Sequence, residues 1–216
     1  MSVNPITDPS MNQTAQLVAT TLDEETARAE VYGVLAALYY AAPPAELLDN
    51  LRVAVTEAPA AGAVLEASWS DLVGAARRLS NAAIASEYET LFGGVGKPEV
   101  YLFGSHYLSG FLNEKPLAAL RTDLAALGLA RDEAMPETED HVAYLCEVMR
   151  YLIAGDDVAV ANLTRQRDFF SSHLQPWLTD LCDAVTRHPR ADFYRCVAAF
   201  TQTFISVEMQ GFDMLA

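Results

Sequence analysis

The sequence predicts an all-α protein, a single bundle-like helical domain of about nine or ten helices. Three observations carry this. Apolar residues recur at the helical period almost everywhere, whereas the two-residue alternation of strands is nearly absent. Ten prolines and eleven glycines fall mostly between the periodic segments, where they end helices. Apolar residues make up 51% of 216 positions, enough to bury one full-sized core.

Residues 1–22 are polar and lack a basic start leading into an apolar block, so no signal peptide is expected there. They read as a disordered tail, with the helical domain spanning 23–216. Tyr32, Leu35, Ala36 and Tyr39 share one face of a first helix, which "AAPP" at Ala41–Pro44 ends. Leu47, Leu48, Leu51 and Val55 stripe a second helix, and Trp69, Leu72, Val73, Ala76 and Leu79 a third. Ile84, Tyr88 and Leu91 continue the pattern until glycines and Pro98 break it, giving an irregular loop to about Ser105. Leu117, Leu120, Leu124 and Leu127 form a helix that Gly128 can cap. The loop "GLARDEAMPETED" then leads into Val142, Leu145, Cys146, Met149, Leu152 and Ile153, an apolar stripe of helical period. Three more helices follow, over about Asp157–Leu174, Gln175–Arg187 and from Ala191 onward, the last with Phe193, Val197, Phe200, Phe204 and Val207 inward.

Charge and motif content exclude several functions. Fourteen basic against twenty-nine acidic residues give −15, the wrong sign for neutralising phosphates, so no nucleic acid is expected. The acidity suits a basic partner or simply keeps the chain dispersed in water. No apolar run approaches the roughly 18–20 residues of a membrane span. Cys146, Cys182 and Cys196 lack CxxC spacing and fall among apolar helical positions, as reduced core cysteines of a cytoplasmic protein would. "GGVGK" suggests a phosphate-binding loop. However, position 91 is leucine where GxxxxGK[ST] needs glycine, Pro98 stands where the hydroxyl should be, and the preceding segment reads as helix. No catalytic residue, cofactor or metal emerges. His106, His141, His173 and His188 have no metal-ligand spacing, and Pro136 argues against Glu137 and His141 sharing one helical face for a metal.

Two stretches hold the candidate site. In "MPETEDHVAYLCEVMRYL", Thr138 can serve as N-cap, placing Glu139 and Asp140 in the first turn at the positive end of the helix dipole. That explains three residues but gives no special reason for Glu137 or His141, whose acceptors could instead grip an arginine or a peptide backbone. In "YETLFGGVGKPEVYLFGSHY", Tyr88, Leu91 and Phe92 fit a core-facing helical stripe. Tyr101, Phe103 and Tyr107 lie in irregular chain, where rings beside carboxylates would suit an apolar peptide with a basic end.

These residues resemble the TorD/DmsD/NarJ family of chaperones for molybdenum-containing oxidoreductases. Tyr88, Leu91–Phe92, Gly94, Phe103–Gly104–Ser105 and Tyr107 match a first family block. Glu137, Asp140 and His141 match a second, Glu-Pro-x-Asp-His before an apolar helix, with Thr138 replacing the proline. "HLQPW" (His173–Trp177) and "FYRCV" (Phe193–Val197) match a third. The ordered set covers about Glu87 to Val207. The resemblance implies a cytoplasmic, non-enzymatic chaperone that binds an apo-molybdoenzyme through its twin-arginine signal peptide and delays export until the cofactor is inserted. It also implies Tyr88, Phe92, Phe103, Ser105, Glu137, Asp140 and His141 as partner-binding residues, and molybdenum-cofactor delivery proteins as further partners. A monomer, or a dimer that swaps helical halves about a hinge near 128–138, is compatible with it. The reading from a different class is a helical enzyme or metal-binding bundle using Glu137, Asp140 and His141.

Overall fold

The computed structural model describes residues 9–56, 63–93, 97–112, 115–132 and 135–214, with side chains from residue 24 onward. Among these residues there are ten α-helices and no strand, apart from one isolated bridge: α1 Pro9–Tyr40, α2 Ala45–Val53, α3 Glu66–Arg78, α4 Asn81–Leu91, α5 Gly104–Ser109, α6 Lys115–Ala126, α7 Val142–Ala154, α8 Leu163–His173, α9 Leu178–Arg187 and α10 Phe193–Asp213. The all-α class read from the periodicity is therefore the observed one. None of these helices is long and apolar enough to cross a membrane.

One contiguous core joins the helices, α5 meeting it through half-buried Tyr107, and α1 lies along α7 as the most extensive pair. α10 packs on α9 and α3, α8 on α7, and α2 on α3. The centre is aromatic, with Tyr32, Tyr39, Phe170, Trp177, Phe193, Tyr194 and Phe204 almost wholly buried. Three of the buried phenols donate to acceptors on other elements, as burial favours. Tyr194 donates to Leu38 O and Tyr88 to Tyr39 O, while Tyr32 donates to the Glu208 carboxylate. Glu208 also takes a two-point ion pair from Arg28 at 2.7 and 2.8 Å, tying α1 to α10 inside the core. All three cysteines are free, and burial pushes the Cys182 thiol up to about 12, so it packs as a small apolar group.

The helix ends explain where boundaries differ from the sequence expectations. Residues 9–22, expected as a disordered tail, form the start of α1. Proline is tolerated in a first turn, and no glycine or further proline interrupts the chain before Gly33. Val55 lies past the end of α2 and is exposed rather than striping it. The helix expected from Asp157 starts at Leu163, because the Asp157 side chain accepts from Ala159 N–H and Asn162 caps the helix by accepting from Arg165 N–H. The loop expected to reach Ser105 ends at Gly104, where the six-residue α5 begins. Gly128 does close α6: its φ is +73°, with Gly128 N–H donating to Ala125 O and Leu129 N–H to Leu124 O. That pairing is a Schellman motif, and its C″ residue, Leu129, packs on the core.

Candidate functional site

The three sequence blocks fold onto one another. Phe103 and His141 form the antiparallel bridge, closed by Val142 N–H donating to Leu102 O at 2.8 Å and Gly104 N–H to Asp140 O at 3.0 Å. Gly104 lies against Trp177 of the third block, and a Cβ there would stand 3.0 Å from the indole, tight enough that the buried ring would have to give way. Tyr107 stacks on the same indole at 5.5 Å. Tyr194 meets Phe92 edge-on at 4.9 Å and Tyr88 at 5.8 Å. Glu87 completes the joint, its carboxylate accepting from the N–H groups of Asp192, Phe193 and Tyr194 at 2.8, 3.0 and 2.8 Å. It thereby caps α10 from α4, meeting the positive end of that helix with a negative charge.

Asp140 is 3% exposed. Its carboxylate accepts from Ser105 N–H at 2.8 Å and from the Thr138 hydroxyl at 2.6 Å, so it clamps the loop to the start of α5. His141, expected as a partner-facing imidazole, is the N-cap of α7, and its Nδ1 accepts from Ala143 N–H at 3.2 Å. Burial lowers its pKa to about 4, which keeps the ring neutral and able to accept. Thr138 is thus not the N-cap expected from the sequence, and Glu139 and Asp140 precede the helix rather than occupying its first turn. Glu139 instead makes a two-point ion pair with Arg121 of α6, both bonds 2.9 Å, and its carboxyl is held below the usual range by that arginine. Ser105 is buried, and its hydroxyl has no hydrogen-bond partner among the described residues. Direct contact between a partner and Ser105, Asp140 or His141 is therefore closed off in this conformation.

Of the remaining predicted residues, Phe92, Phe103 and Glu137 are partly exposed. Phe92 and Phe103 are half-buried, Phe103 lying edge-on to His141 at 5.1 Å and Phe92 edge-on to Tyr88 at 5.3 Å. Tyr88 itself is mostly buried. Its phenol is pushed up first by burial, then by the negative charges of Glu89 and Glu137. Glu137 is half-exposed, and the Tyr144 phenol is raised by burial and then by Tyr40. Tyr40 is 47% exposed and tilts over Tyr144 at 5.8 Å. Ring pairs thus link α1 to α7 through Tyr40 and Tyr144, and the 103 loop to the start of α7 through Phe103 and His141.

Sequence reasoning passed over Glu89, Tyr40 and Tyr144. Glu89 carried a signal, since a carboxylate in the last turn of a helix opposes the dipole and so has a reason other than helix stability. Gly94 lies outside the described residues, but the glycine run that contains it follows α4, not a strand, consistent with the exclusion of a phosphate loop. No group of three metal-ligating side chains occurs among the described residues, and Nδ1 of His141 is already engaged.

The three motif blocks are thus joined within one helical bundle. A sequence model of the nitrate reductase delta subunit family matches residues 58–183, more than half of the chain, and the chain belongs to this family, the TorD/NarJ group of chaperones. The chain is 26% identical over 204 residues to a protein of Vibrio cholerae serotype O1 named Chaperone protein TorD, covering 87% of this chain and 93% of that one. A protein of the same name from Vibrio parahaemolyticus serotype O3:K6 is 24% identical over 133 residues, 58% of this chain and 62% of its own.

Proposed function

We propose that this protein is a cytoplasmic chaperone for a molybdenum-containing oxidoreductase, holding the apoenzyme by an N-terminal leader that carries paired arginines beside an apolar segment. The observation that supports it best is the set of reachable rings, Phe92 edge-on to Tyr88 at 5.3 Å and exposed Tyr40 tilted over Tyr144 at 5.8 Å, with exposed Glu89 following Tyr88 in the chain and Glu137 half-exposed. Arginine pairs with carboxylates through two parallel hydrogen bonds, which fix orientation as well as adding energy. Glu137 and Glu89 are the acceptors, and Phe92, Phe103 and Tyr40 form the apolar seat. Asp140, His141 and Ser105 are positioning residues that hold the 103 loop and the start of α7 in register. No bond is made or broken. Occupying the leader keeps the client from export while its cofactor is inserted.

Calorimetric titration with a synthetic twin-arginine leader peptide tests this. Glu137→Gln and Glu89→Gln should each weaken binding about three- to tenfold, in line with surface charge pairs. The affinity should also fall as salt is raised. Binding that ignores both substitutions and salt would refute the carboxylate assignment.

A further inference from the structure

A second surface stands apart from that site. An apolar groove follows α1 in two lobes of about 360 and 560 Å³ that share Ala27, Val31 and Leu65. None of its lining residues belongs to the segments 88–107 or 137–144. Trp69 and Phe200 wall one lobe, and Phe204 and Val207 the other. Gly211 lies in the lining with no atom within 4 Å of where a Cβ would be, so another backbone can come close there. The edges carry Glu24, Glu25, Glu30 and Glu66. Among the described lining residues the one cation, Arg28, is already bound to Glu208.

We infer that this groove docks an amphipathic helix of a partner protein, its apolar face inward and lysines or arginines along its flanks. Helices seat in apolar grooves through residues spaced three and four apart, and an acidic rim selects basic flanks. Charge decides between this occupant and the alternatives. A second copy of the chain carries −15 and would bring acid against acid, and residues 57–62 ("EAPAAG") hold no cation to answer the rim.

The test uses the full chain and an 18-residue leucine–alanine–lysine helix, with a glutamate-for-lysine version as control. Emission from Trp69, which lines the groove, reports binding, while Trp177 is buried in the core and stays silent. The basic helix should bind and the acidic one should not. Glu30→Lys/Glu66→Lys should weaken binding about tenfold, since each reversal exchanges a weak surface attraction for a repulsion. Glu46→Lys/Asp156→Lys, an equal change in net charge on exposed residues away from the groove, should leave binding within about twofold. Glu137→Gln should leave it unchanged, which separates this surface from the leader site. Equal binding of both helices, or equal loss with both charge reversals, overturns the inference. So does sedimentation showing a dimer that Val31→Glu dissociates, which assigns the groove to a second copy.

Discussion

Replacing Asp140 by alanine offers the sharpest check on how the candidate site is held. Its carboxylate accepts two short hydrogen bonds in a buried setting, from Ser105 N–H at 2.8 Å and Thr138 O–H at 2.6 Å. A hydrogen bond to a charged group contributes about 1.5–3 kcal/mol, and a buried donor left without a partner costs about 1–3 kcal/mol. Ser105 is 1% exposed, so its N–H has no water to turn to. The Ser105 bond and its stranded N–H together make the cost of Asp140→Ala about 2.5–6 kcal/mol, which for a chain of this size lowers the melting temperature by roughly 5–20 °C. Asp140→Asn keeps an acceptor for Ser105 and sets its amide against the Thr138 hydroxyl, so it should cost only about 1 kcal/mol. Urea unfolding followed by far-UV circular dichroism gives both numbers, with the slope m confirming that the same surface is exposed. A carboxylate that merely decorates a helix end contributes about 0.3–1 kcal/mol. A loss for Asp140→Ala inside that range, at unchanged m, would refute the clamp.

Two further outcomes follow from neighbouring contacts. Glu87→Ala strips the acceptor from three N–H groups at the start of α10 and should destabilise by about 2–4 kcal/mol, with Glu87→Gln intermediate, read from the same urea midpoints. His141 has a folded pKa near 4, below its usual value near 6.5, so the folded state binds fewer protons than the unfolded one. Its contribution is fully present above about pH 6.5 and is lost as pH falls toward 4. His141→Asn, a good N-cap that does not titrate, should flatten the stability profile across that window, and an unchanged profile would show that His141 is not its source.

The fold was legible because it is built from local pattern. Leu117, Leu120 and Leu124 face the core at the spacing their positions imply, and Gly128 takes the left-handed conformation that its place after a leucine stripe suggests. The boundaries that went astray depend on local side-chain bonds competing with the helix, as at Asp157 and Asn162, or on a favourable composition outweighing polarity, as over residues 9–22. At the site, the sequence singles out Glu137 and the rings at 92 and 103 as candidates, but it does not reveal how deep their neighbours lie. Whether Asp140 points to solvent or inward is decided by Ser105, 35 positions away, and whether His141 caps a helix is decided by where the 103 bridge stops the loop. Pairings of that range leave no periodic trace in the chain.

The single bridge between Phe103 and His141 also fixes both ends of the excursion that carries α5 and α6. Lengthening a closed loop is inexpensive, about 0.6 kcal/mol for each doubling. Residues could therefore be gained or shed at the turns within that excursion without shifting the aromatic edge against the end of α4. The protein can remodel the turns around α6 while the bridge at 103 and 141 stays put.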